Sequence, residues 1–128
     1  MQALGNFGWV FLGGGIGSAL RYGVGRVALI LVGPNFPAGT LAVNVIGCVL
    51  MGVLIEWLAL RDAGIDVATK LFLMTGVLGG FTTFSAFALD AVTLWERGPA
   101  TTAMLYVLAS VAFSIAGLFG GMAIMRAA

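Results

Sequence analysis

The run Thr75-Gly76-Val77-Leu78-Gly79-Gly80-Phe81-Thr82-Thr83-Phe84-Ser85-Ala86-Phe87 is where this chain departs furthest from an ordinary apolar helix. Paired glycines followed by two β-branched threonines weaken helical structure. A helix interrupted at membrane depth frees backbone carbonyls that protein, water or an ion must satisfy, and such interruptions mark ion sites. The ordinary alternative is a continuous helix that uses glycine for packing. Catalysis lacks its parts. There is no histidine, so imidazole acid–base chemistry is absent, and no nucleophile–base pair or metal-ligand cluster is visible. The one cysteine, Cys48, sits in an apolar run and reads as a small buried hydrophobe. It excludes a disulfide within the chain.

These residues must be carried by membrane helices. The 128 residues are 61% hydrophobic and only 9% charged, against about a quarter charged in a soluble domain. A very hydrophobic soluble core is the poorer alternative, because apolar runs of about 18 or more residues read as transmembrane helices. Four spans are expected, at about 4–29, 38–60, 67–95 and 100–125, in a single domain covering 1–128. Gly33-Pro34-Asn35-Phe36-Pro37, Arg61-Asp62-Ala63-Gly64-Ile65-Asp66 and Glu96-Arg97-Gly98-Pro99 separate them, since proline and glycine punctuate helices. Trp9, Trp57, Trp95 and Tyr22 fall near span ends, as interfacial aromatics do. The N-terminus lacks the positive region of a signal peptide, so the first span is expected to be retained. A net charge of +1 leaves no basic face for nucleic acid.

Orientation is undecided by charge. Four spans put Arg61, Lys70 and Arg126 on one side and Arg26 and Arg97, with Arg21 deeper in span 1, on the other. Lys and Arg in short loops set topology, and this balance gives almost no bias. Either another feature fixes the orientation, or chains insert both ways and pair antiparallel. Gly13/Gly17, Gly76/Gly80 and Gly117/Gly121 have the small-xxx-small spacing of closely packed membrane helices, which points to an oligomer.

The run Gly79-Gly80-Phe81-Thr82-Thr83-Phe84-Ser85-Ala86-Phe87 resembles the signature of the Fluc (CrcB) fluoride channels. Gly17-Ser18-Ala19-Leu20-Arg21-Tyr22 resembles that family's span 1 arginine motif, and Gly39-Thr40-Leu41-Ala42-Val43-Asn44 its span 2 asparagine motif. Tyr106, Ser110 and Ser114 match its polar track on span 4. Ala86 stands where threonine is commoner and Asp90 where glutamate is commoner. The resemblance covers essentially the whole chain. It implies an all-α membrane protein with span 3 broken near its middle, assembled as an antiparallel, dual-topology homodimer with two pores. The implied function is passive, fluoride-selective export from the cytoplasm across a bacterial inner membrane. It also implies a structural sodium ion at the dimer centre, held by the Gly79 and Thr82 carbonyls, and fluoride faced by the ring edges of Phe84 and Phe87.

Physical chemistry agrees with these implied roles. A small, strongly hydrated anion enters a dry path only where donors replace its water. Asn44 offers an amide NH₂, and Thr40, Tyr106 and Ser110 offer hydroxyls. Tyr106, Ser110 and Ser114 share one helical stripe. Phe84 and Phe87 share a face, and aromatic edges are positive. Arg21 would draw anions into a watery vestibule, since intramembrane charge faces a cavity or a partner. Taken singly, each has an ordinary reading: phenyl filler, serines bonded to their own helix, an asparagine tying two helices, a snorkelling arginine. Their joint order and spacing carry the reading. The alternatives are a small multidrug-type proton-coupled exporter, which carries a carboxylate that span 1 lacks, and a non-conducting accessory subunit. Glu56 and Asp90 fall near expected span ends, as loop-proximal or capping groups.

Overall fold

A computed structural model describes residues 1–61 and 64–128. Asp62 and Ala63, in the expected polar loop, lie outside the described residues. The architecture is all-helical, with four segments long and apolar enough to cross a membrane. Helix α1 is Gln2–Val32 and α2 is Ala38–Leu60. The third span, Val67–Arg97, is composite: α3 (Val67–Lys70), a π-helical stretch Leu71–Leu78, α4 (Gly79–Phe81) and α5 (Phe84–Arg97). Helix α6 is Ala100–Ala127.

Local chemistry accounts for the ends. Gly33 takes φ 89°, a conformation that suits glycine, and its N–H bonds the Leu29 carbonyl at 3.0 Å, stopping α1 before Pro34. Pro37 and Pro99 precede α2 and α6, which have no side-chain caps. Asp66 caps α3, its carboxylate accepting from the Thr69 N–H at 3.2 Å. Hydrogen bonds from the Thr69 side chain, then from its backbone, hold that carboxyl below the usual range. Between α4 and α5 the backbone is extended, with φ −86°, ψ 159° at Thr82 and φ −154°, ψ 119° at Thr83. The Thr83 hydroxyl caps α5 by accepting from the Ala86 N–H at 3.1 Å.

Missing side chains fix the packing. A methyl group on Gly13 would meet the Phe72 carbonyl, and one on Gly17 the Val77 carbonyl. So α1 lies directly on the backbone of the π-helical stretch and α4, and the Gly80 backbone returns the contact against Gly14. On the other pair, a methyl on Gly52 would meet the Leu118 carbonyl, and one on Gly121 the Val49 carbonyl. Helices α2 and α6 therefore run in parallel at backbone contact, and Arg126 and Glu56 close that seam with a 3.0 Å ion pair. The small-xxx-small pairs thus pack helices within the chain, and they carry no argument for association. That argument passes to the surface. Few apolar side chains are buried (Val43, Leu78, Phe81, Phe87, Ala103, Tyr106), while residues such as Phe7, Phe11 and Leu31 stand open on the outside. An apolar exterior of this extent requires lipid or a partner.

Gly17→Ala puts a methyl on the Val77 carbonyl and 2.8 Å from the Phe81 amide nitrogen. Such overpacking costs about 1–3 kcal/mol. The melting temperature in detergent should fall for Gly17→Ala. It should hold or rise for Gly5→Ala, where nothing lies within 4 Å. Equal melting of the two variants would remove the packing role.

Candidate functional site

The extended step at Thr82 and Thr83 sits against α2. Two hydrogen bonds fasten it: the Asn44 Nδ2 donates to the Thr83 carbonyl at 2.9 Å, and the Thr83 N–H donates to Asn44 Oδ1 at 2.7 Å. One amide side chain thus replaces a backbone partner on both sides, leaving its second N–H uncommitted. From the α1 side, Arg21 Nε donates to the Gly80 carbonyl at 3.0 Å. The Thr82 hydroxyl donates to the Leu78 carbonyl at 2.9 Å.

These bonds redistribute the backbone donors. In a continuous helix the Gly79 carbonyl would accept from the Thr83 N–H and the Thr82 carbonyl from the Ala86 N–H. Those two N–H groups bond the Asn44 and Thr83 side chains instead. Gly79 is exposed and Thr82 half-buried. Two carbonyl oxygens without their helical donors, at an open surface, fit a hard cation.

Beside the extended step lies a groove of about 360 Å³ between α2, the third span and α6. Asn44, Phe84, Phe87, Ser110 and Ser114 line it together, joined by Cys48 and Met51. The two phenyl rings lie 5.4 Å apart at 53°. Phe87 is 9% exposed, whereas Phe84 is 79% exposed and projects from the chain. Ser110 is 5% exposed, and its hydroxyl has no hydrogen-bond partner among the described residues. It makes no bond to its own helix backbone, although the Tyr106 hydroxyl one turn earlier on α6 is close enough to interact with it. A buried polar group left this way asks for a ligand or water.

Thr40 lies apart from the groove, in a second cavity of about 560 Å³ that Asp90 also lines. Tyr106 stands between the two and is 1% exposed. Its ring meets Phe87 at 5.5 Å on one side and the Phe36 ring at 5.7 Å, edge-on, on another. Its hydroxyl donates to Asp90 at 3.3 Å, long for such a bond. Asp90 is thus not a cap, since α5 runs on to Arg97, but it does face the cavity that the α1–α2 loop lines. Glu56 pairs with Arg126.

Sequence reasoning placed Asn44, the phenylalanines and the serines individually. It missed Phe36, the Asp90–Tyr106 contact and the division into two cavities. Only the turn sequence around Phe36 hinted that this loop folds over the helix ends. Arg21, expected as a vestibule charge, donates to the Gly80 carbonyl of the third span and is not among the residues lining these two cavities.

Four membrane-length helices around a donor-lined groove define a small multi-pass membrane protein. Residues 8–122 match the family described as CrcB-like protein, Camphor Resistance (CrcB), and the chain belongs to that family. It is 58% identical to a fluoride-specific ion channel FluC of Rhizobium etli over 118 residues, covering 92% of this chain and 94% of the relative. It is 54% identical to the protein of the same description in Agrobacterium fabrum, covering 94% and 96%. The figure is 56% for the one in Paracoccus denitrificans, covering 91% of each.

Removing the Asn44 amide leaves the Thr83 N–H and carbonyl unpaired, at about 1–3 kcal/mol for a buried group. In Asn44→Ala the Thr83 amide should exchange with deuterium roughly tenfold faster, the equivalent of about 1.4 kcal/mol. Exchange at Gly5 should not change. An unaltered Thr83 rate would show that the step holds without Asn44.

Proposed function

We propose that this chain is a passive fluoride-selective channel that exports fluoride across a bacterial inner membrane, as an antiparallel homodimer with two pores. The observation that carries the reading is the orphaned Ser110 hydroxyl. It is buried in a groove that also holds the Asn44 amide and two phenyl rings. Each of these is uncharged and offers a hydrogen or a positive ring edge. Such a set can exchange for the water around a small anion without binding it so tightly that it stays. The relatives described as fluoride-specific ion channels, similar along nearly their whole length, support the choice of fluoride.

In this reading an anion passes from the outer cavity by Thr40 and the Tyr106 hydroxyl into the groove. There Ser110, Ser114 and the free N–H of Asn44 take over from water, and the Phe84 and Phe87 edges complete the wall. Arg21, anchored on Gly80, adds a fixed positive charge near the step. The third span acts as a broken helix, supported by the extended torsions at Thr82 and Thr83. The Gly79 and Thr82 carbonyls of two chains would hold a structural sodium ion, which supplies a positive centre that ties the subunits together. The high exposure of Phe84 supports a partner that covers it. The balanced Lys and Arg count supports insertion in both orientations. Proton-coupled export is disfavoured because residues 1–32 hold no Asp or Glu. No enzyme activity is proposed.

Reconstituted in liposomes loaded with potassium fluoride, with a potassium ionophore to carry the counter-charge, the parent chain should release fluoride at a rate indifferent to a protonophore. Phe84→Ile and Phe87→Ile should insert and dimerise normally, with at least one losing most of the flux. Parental rates in both would end the role of the rings. In cells, a C-terminal tag should be modified from both faces of the membrane. Labelling from one face alone would count against antiparallel pairing.

A further inference from the structure

The outer cavity of about 560 Å³ is bounded by the α1–α2 loop, the end of α5 and the start of α6. Two of its lining residues, Phe36 and Asp90, touch Tyr106, and Tyr106 touches Phe87 in the inner groove. The cavity and the groove therefore meet at Tyr106, and in the channel reading the cavity is the approach to the groove. Its charges are two: Asp90 and, at the mouth, Arg97. They stand seven residues apart on α5, about 10 Å along the axis, too far to pair. Among the described residues the ion pair formed is Arg126 with Glu56, so no described carboxylate neutralises Arg97, which is exposed. The first turns of α2 and α6 open on the same cavity, but so do the last turns of α1 and α5, so the helix ends add little net potential and the side-chain charges decide. An anion drawn inward must approach the Asp90 carboxylate, and a fixed positive charge at the mouth offsets that repulsion. A charge at the rim of a binding path acts on the rate of arrival and on its salt dependence.

We infer that Arg97 is the anion-collecting charge of the outer cavity: a residue that speeds fluoride capture at the mouth of the path without touching the ion inside the groove. The inference rests on the channel reading and adds a residue to it.

The test is fluoride efflux from liposomes at about 0.01 M and about 1 M of a salt with a bulky, impermeant anion, where the screening length falls from about 30 to about 3 Å. The variants are Arg97→Lys, Arg97→Gln and Arg97→Glu, with Lys70→Gln as a charge-loss control, because Lys70 is exposed and does not line the cavity. At low salt, Arg97→Gln should slow efflux several-fold and Arg97→Glu by about tenfold, within the range known for electrostatic steering. Arg97→Lys and Lys70→Gln should match the parent. At high salt all five chains should converge within about twofold. The fraction of liposomes that empty reports inserted protein separately from rate, so misfolding is not mistaken for slow capture. If Arg97→Glu folds poorly, Arg97→Gln against Arg97→Lys decides the matter through the same salt comparison. A loss of equal size at both salt concentrations, or no loss at low salt, overturns the inference. A parent chain that releases no fluoride fails the channel reading itself.

Discussion

The two hydrogen bonds between Asn44 and the Thr83 backbone hold the rest of this structure in place. An extended pair of residues inside a membrane helix leaves N–H and carbonyl groups without their helical partners, and lipid offers no replacements. Asn44 supplies both a donor and an acceptor to one residue. Once Thr83 is fixed, its own hydroxyl can cap α5, and α5 leaves at an angle that brings Phe84 and Phe87 to the groove. Arg21 performs a related service from α1, covering the Gly80 carbonyl. One side chain on each neighbouring helix thus answers a backbone demand that the third span creates for itself.

Around this step the helices form two closely joined pairs. Helix α1 lies on the first half of the third span, and α2 lies on α6, each through glycine against backbone. The groove lies at the seam where the pairs meet. Dispersion between closely approaching backbones is a strong association force in a membrane, where the hydrophobic effect does not act between helices. The polar lining can therefore be sparse without weakening the fold.

The four helices were legible because long apolar runs and proline-bearing turns leave few other solutions. The segment from Gly79 to Phe87 was legible because its residue types work against a regular helix. The π-helical stretch was not: Leu71, Phe72, Leu73 and Met74 are unremarkable helix residues, and nothing in their types distinguishes the wider turn from an ordinary one. The glycine pairs were legible as packing residues but not in their partners, since spacing along one helix is silent about which helix lies opposite. Asp90 shows the same limit. Its distance from Glu96 and Arg97 in sequence suggested a helix end, whereas its neighbour Tyr106 is set by the crossing of α5 and α6. Side chains that answer a local backbone need are foreshadowed in sequence, and those that answer a neighbour across the fold are not.

The parallel seam of α2 and α6 also acts as a ruler. Gly52 meets Leu118, Gly121 meets Val49, and Glu56 meets Arg126, so contacts climb both helices together. A slip by one turn would move one helix past the other by about 5.4 Å and drive methyl-bearing residues into carbonyls now faced by bare glycine. The relative heights of Asn44 on one helix and Ser110 and Ser114 on the other are therefore locked. The spacing of polar stations along the groove is dictated by two absent methyl groups, on Gly52 and Gly121, about two to three turns away.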